Sequence, residues 1–165
     1  MAIELPEYDP ATTVRSETVE IAAPASLVWE ILTDLPRYGE WNPYCFSAES
    51  TLDMGAPVHM KLNSYTVPGE VYPGCEYICA FEPERLLSWE LPYSDAMPYP
   101  ARRDQLIEAL GPDRCRYHST DAFFGENGKH VMFFCAGWVK LAFDQTARGL
   151  KARAEALYAE QKAAA

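Results

Sequence analysis

The spacing of apolar positions changes from one stretch of the chain to the next, and each change predicts an element. From Thr13 to Ile21 the residues are rich in β-branched types and run into Ala23-Pro24, which predicts a strand closed by a turn. Behind Ser26, a residue suited to capping, Leu27, Val28, Ile31 and Leu32 recur at helical spacing and predict a helix ending near Asp34-Leu35-Pro36. A second short helix is predicted from Pro36 to about Trp41, with Asn42-Pro43 breaking it. Short strands are then predicted at 44–51, 56–64, 70–82, 86–91, 102–110 and 114–123. Asp53-Met54-Gly55, Pro68-Gly69, Glu82-Pro83-Glu84 and Gly111-Pro112-Asp113 supply turns between them. Strands joined by such short turns form an antiparallel meander. Pro92 to Ala101, with three prolines, reads as a loop. From Val131 to about Gln161, Val139, Phe143, Ala147, Leu150, Ala154 and Leu157 repeat at threes and fours, predicting a long helix. Gly137 and Gly149 interrupt it, each as a kink or a place of close packing.

That helix would span about 46 Å, against a radius of gyration of about 15 Å for a domain of this size, so it must cross the whole molecule. The elements fit an α+β architecture: a seven-stranded curved antiparallel sheet wrapped around the long C-terminal helix, with two short helices between strands 1 and 2. A two-layer α+β sandwich with a filled core is the alternative. Residues 1–12 read as a flexible arm and 13–161 as a single domain.

The last hairpin separates inside from outside. Its turn pairs Glu108 with Arg116, Leu106 with His118 and Asp104 with Thr120 on one face, and this face, with its charge pair, is expected to be solvated. The other face pairs Ala109 with Cys115, Ile107 with Tyr117, Gln105 with Ser119 and Arg103 with Asp121, grading from apolar to charged like one wall of a partly polar cavity. The same alternation turns Val58, Met60, Leu62, Leu87, Trp89 and Leu91 inward. Strand 70–82 reads both ways, because Tyr77, Cys79 and Phe81 compete with Ile78 and Ala80. From the long helix, Phe134, Trp138 and Leu141 are expected to look toward the concave side. Such a lining suits an apolar ligand fixed by a few hydrogen bonds, although large aromatics also simply fill cores.

Charge and composition narrow the function classes. With 24 acidic against 14 basic side chains and a pI near 4.7, the chain lacks a basic footprint for nucleic acid or anionic lipid surfaces. Its start is acidic and proline-bearing instead of resembling a signal peptide, and no apolar run reaches the length of a membrane span, so a cytoplasmic protein is expected. Five cysteines without a CxxC pair argue against a disulfide framework or zinc cage. His59 and His118 fall on the presumed outer face and His130 near the start of the long helix, so no metal site is expected. Neither a dinucleotide nor a nucleotide-triphosphate motif occurs, and no cofactor is expected.

Ile21-Ala22-Ala23-Pro24-Ala25-Ser26-Leu27-Val28-Trp29-Glu30-Ile31-Leu32-Thr33-Asp34, followed by Tyr38 and Glu40-Trp41-Asn42-Pro43, resembles the opening signature of the SRPBCC superfamily. The likeness extends through Pro83-Glu84-Arg85-Leu86-Leu87-Ser88-Trp89, through Ser119-Thr120-Asp121-Ala122-Phe123-Phe124-Gly125, and through Leu150-Lys151-Ala152-Arg153-Ala154-Glu155. It is nearest the polyketide cyclase/dehydratase and lipid-transport branch of this START and birch-pollen-allergen-like group. The resemblance implies a helix-grip fold with a deep apolar cavity, but no single activity, since the fold hosts carriers, receptors and cyclases alike. The 92–101 loop departs from the usual pattern and reads either as a lid or as a plain surface connection.

Two functions follow as expectations. One is a binder of a hydrophobic small molecule, lined by Met60, Leu62, Tyr77, Trp89, Gln105, Ile107, Ser119, Phe134, Trp138 and Leu141. The other is a cyclase/dehydratase acting on a carbonyl substrate, with Asp121, Arg103 and Tyr117 as candidate catalytic groups. The Asp121 and Arg103 pair also reads as a structural ion pair. A protein-interaction module on the convex face is a third reading, and either a monomer or a homodimer fits.

Overall fold

The computed structural model describes residues 2–165. Strands β1 (Thr13–Arg15) and β2 (Val19–Ile21) come first, then helix α1 (Ala25–Thr33) and a 3-10 helix (Leu35–Glu40). Strands β3 (Cys45–Glu49), β4 (Pro57–Asn63), β5 (Val71–Glu82), β6 (Leu86–Leu91), β7 (Ala101–Gly111) and β8 (Arg114–Phe123) follow, and α2 (Gly128–Ala164) closes the chain. The sheet runs in the order β1-β8-β7-β6-β5-β4-β3, with β2 also on β8. This is the helix-grip arrangement, with the short helices and α2 on one side of the sheet.

The strand expected over 13–21 is split in two. Ser16 leaves the regular ladder: its N–H donates to the Ser119 carbonyl at 2.9 Å, and its Oγ accepts from the Ser119 N–H at 2.9 Å. Pairing with β8 resumes at Val19, opposite Tyr117. The β7–β8 hairpin has each of the expected cross-strand pairs, and at its end Gly111 faces Arg114, because a register shift after Ala109 absorbs one residue.

A second register shift explains why β5 reads both ways. Ile78 lies opposite Trp89, Ala80 opposite Ser88 and Phe81 opposite Leu87, so Cys79 is the extra residue and the alternation reverses across it. Before the bulge the inward set contains Ile78 and Glu76, and after it Phe81, whose ring meets Trp29 at 5.1 Å. No single parity describes this strand.

The face carrying Asp104 and Thr120, expected to be solvated, is buried there. Residues expected to form a loose arm lie over it. Tyr8 donates its hydroxyl proton to Asp104 Oδ2, while Ser88 Oγ at 2.5 Å and Arg102 Nε at 2.9 Å donate to Oδ1. The Ile3 N–H donates to Glu82 at 2.8 Å, and Arg85 donates to the Ile3 carbonyl at 3.0 Å. A buried carboxylate needs such donors, and the arm supplies one of them. Met1, where the expected arm begins, lies outside the described residues.

Helix α2 buries Val139, Ala142, Phe143, Thr146, Ala147, Leu150 and Ala154, much as its stripe predicts. Gly149 is the place of close packing: a Cβ there would stand 2.3 Å from the Trp41 carbonyl oxygen, whereas a Cβ at Gly137 would meet nothing within 4 Å. Asn42 fastens this junction, its Oδ1 accepting from the N–H groups of Tyr44 at 3.0 Å and Cys45 at 2.9 Å, with Thr146 Oγ1 at 3.2 Å.

Candidate functional site

Between the sheet and α2 lies a chamber of about 30 Å³. Met60 and Leu62 reach it from β4, Glu76 from β5, Trp89 from β6, Arg103 from β7, Asp121 from β8, Tyr44 from the turn before β3 and Phe143 from α2. Strand alternation explains the placement, since Trp89, Arg103 and Asp121 are successive cross-strand partners and therefore share one face. An adjoining chamber of about 170 Å³ is lined by Asn63, Ser64, Tyr65, Thr66, Tyr72 and Trp138, together with Tyr44 and Leu62. Tyr44 and Leu62 border both spaces and so stand at the partition. Around Tyr44, the rings of Tyr65, Trp138 and Phe143 lie at 5.7, 6.2 and 6.2 Å.

Arg103 is the polar centre. Only 5% of it is exposed, its Cζ lies 4.0 Å from the Phe143 ring centre and 5.8 Å from that of Trp89, and its Nε and Nη2 have no hydrogen-bond partner among the described residues. Burial acts to lower its pKa, but the surroundings, Tyr117 and Asp121 foremost, outweigh that and keep the guanidinium charged. Burial raises the Asp121 carboxyl well above the ordinary carboxylate range; Glu76 adds to the shift and Arg103 opposes it. Burial likewise pushes Glu76 up to about 7 against the pull of Arg103. Two carboxyls inclined to hold protons thus face one fixed cation.

Of the residues singled out from sequence, Arg103, Asp121, Trp89, Met60 and Leu62 meet in the inner chamber, and Trp138 lines the outer one. Gln105, Ser119, Tyr117 and Ile107 are buried beside them on the same sheet face without lining either space. The Tyr117 hydroxyl donates to Gln105 Oε1 at 3.2 Å, while Gln105 Nε2 and Ser119 Oγ have no hydrogen-bond partner among the described residues. Three expectations are corrected. Tyr77 is 40% exposed, opposite Glu90 on the outer face. Phe134 and Leu141 are 74% and 48% exposed. At about 100° per residue, Phe134 sits about 180° round the helix from Phe143, and Leu141 about 200° from Val139.

Glu76 and Tyr44 were not legible as site residues. Glu76 becomes so once β5 is given the parity of Ile78, whereas Tyr44 precedes its strand and carries no periodic signal. The Pro92–Pro100 loop lines neither chamber. Tyr99 borders a surface groove with His130 and Phe134, and Asn127 Nδ2 donates to the Pro98 carbonyl at 2.9 Å, so this loop lies against the start of α2. The β4–β5 connection borders the outer chamber instead.

The fold has close counterparts. A START superfamily protein from Mycobacterium smegmatis superposes with a TM-score of 0.67 at 18% identity, covering 88% of this chain and 98% of its own. The Zhui aromatase/cyclase from Streptomyces gives 0.68 at 19% identity, covering 87% and 93%. Norcoclaurine synthase from Thalictrum flavum gives 0.58 at 15%, covering 84% and 90%. Among curated proteins no sequence match is found. The family model described as polyketide cyclase / dehydrase and lipid transport matches residues 12–155. Since that match takes in both the sheet that carries Arg103 and the helix that covers it, the chain belongs to this family.

Proposed function

We propose that the protein binds a hydrophobic small molecule, of the lipid, polyketide or aromatic-metabolite kind, between the sheet and α2. One observation carries the reading: Arg103, Glu76 and Asp121 converge on a chamber walled by Trp89, Phe143 and Tyr44. A core with no ligand to serve gains nothing from three ionisable groups that burial penalises, whereas a few polar groups set in an apolar wall are what a ligand site needs. The two chambers, at about 30 and 170 Å³, are smaller than the roughly 300–1,000 Å³ of a drug-sized site. A larger guest would therefore have to displace Tyr44 and Leu62. Native mass spectrometry of protein purified from its own source should show a small-molecule adduct that is lost under denaturing conditions. Absence of any adduct, together with tryptophan fluorescence that no apolar probe changes, would contradict the reading.

A second reading, a cyclase/dehydratase acting on a carbonyl substrate, draws support from the raised Asp121 carboxyl beside Arg103. A protonated acid and a fixed cation are the groups that stabilise an enolising carbonyl. Two structures of similar fold bear the names of catalysts, an aromatase/cyclase and norcoclaurine synthase. Tyr117 would join only by releasing Gln105. Unchanged turnover of an identified carbonyl substrate by Asp121→Asn would remove the acid role.

A further inference from the structure

Building on the binding reading above, we propose that the ligand is a compact aromatic carboxylic acid, its carboxylate held by Nε and Nη2 of Arg103 and its ring lodged in the outer chamber. The protein shows what that edge of an arginine is for. Arg116 grips Glu108 through Nε and Nη2 at 2.7 and 2.8 Å, and Arg148 grips Glu17 through the same pair of atoms at 2.5 and 2.9 Å. On Arg103, the most buried of these, the same two atoms have no hydrogen-bond partner among the described residues. Its Cζ lies 4.0 Å from the Phe143 ring centre and 5.8 Å from that of Trp89, and Arg103 itself borders the inner chamber, so an anion that enters there is within reach of the unpartnered edge. A planar, two-oxygen anion matches that edge.

The rest of the site agrees with an acid and limits its size. Glu76 and Asp121 hold protons more readily than ordinary carboxyls, so they can present O–H donors to an incoming anion. The inner chamber, about 30 Å³, has room for a head group alone. The outer one, about 170 Å³, takes a ring, and Tyr44, Tyr65 and Trp138 give it aromatic walls. A long acyl chain exceeds that volume.

The test compares 2-naphthoate with 2-naphthamide, nearly the same shape but without the charge, by titration calorimetry, with laurate as a long-chain acid. Wild type should bind naphthoate at least about tenfold more tightly than naphthamide, and Arg103→Met should bring the ratio close to one. Equal affinities, a preference that survives Arg103→Met, or laurate binding more tightly than naphthoate would overturn this inference while leaving hydrophobic binding intact. Failure of all three probes to bind would overturn both. Should Arg103→Met not fold, the wild-type Arg103 Nε–H resonance decides. It should move downfield with naphthoate and not with naphthamide, and an unmoved resonance would overturn the proposal.

Discussion

The guanidinium carbon of Arg103 rests 4.0 Å from the centre of the Phe143 ring, so a buried cation on β7 is carried by an aromatic face on α2. The contact offsets part of the cost of burying the charge, by about 2 kcal/mol in a desolvated setting, but leaves the N–H edge unserved. Removing one partner of a buried ion pair is costly when it strands the other charge, but Glu76 and Asp121 are shifted toward their neutral forms by burial and can keep their protons once the cation is gone. Arg103→Met should therefore leave stability unchanged or raise it by up to about 2 kcal/mol in urea unfolding. A loss above about 3 kcal/mol would mark Arg103 as a structural strut.

Glu76 makes stability depend on pH in a definite direction. Its folded-state pKa, about 7, lies above the ordinary 4.5, so the folded protein holds the proton more tightly than the unfolded chain does. The resulting stabilisation is complete below about 4.5 and is lost as pH rises through about 7. Asp121, shifted in the same direction, adds to the trend, and Arg103 moderates both. Glu76→Gln should flatten the slope. From pH 5 to pH 8 wild type should lose up to about 3 kcal/mol relative to the variant. Parallel stability curves across that range would show that Glu76 keeps an ordinary pKa.

Tyr65 fastens the β4–β5 connection to α2, its hydroxyl donating to Gln145 Oε1 at 2.5 Å while its ring packs on Tyr44. Tyr65→Phe removes the hydrogen bond and keeps the ring. The outer chamber should then open more often, so that stopped-flow association and dissociation rates for an apolar probe both rise by about fivefold, as a loss of about 1 kcal/mol implies, at nearly constant affinity. Unchanged rates would locate the entrance elsewhere.

Gly149 and Gly137, both inside α2, should respond in opposite ways. Gly149→Ala drives a methyl against the Trp41 carbonyl oxygen and should cost about 1–3 kcal/mol or more by thermal unfolding. Gly137→Ala meets open space and should gain about 0.5–1 kcal/mol from helix propensity.

How far the chain announces this arrangement depends on how local the cause is. The β7–β8 register was legible because one turn, Gly111-Pro112-Asp113, sets it, and with it came the facing pair Arg103 and Asp121. Trp89, Met60 and Leu62 followed from simple alternation. Glu76 did not, because the bulge at Cys79 reverses parity within one strand. Phe134 and Leu141 form a helical stripe of their own, and only the contact of α2 with the sheet selects the stripe through Phe143 over it. Burial of Asp104 depends on Tyr8, nearly a hundred residues away in sequence, and no local pattern carries that.

The occupied space itself can be observed directly. With methyl-labelled protein and unlabelled 2-naphthamide, intermolecular nuclear Overhauser effects should connect the bound ring to the methyl groups of Met60 and Leu62, which line the chambers between sheet and helix. Saturable binding whose contacts fall only on the outer face, at Leu106, or whose Overhauser effects miss Met60 and Leu62 altogether, would contradict an internal binding site.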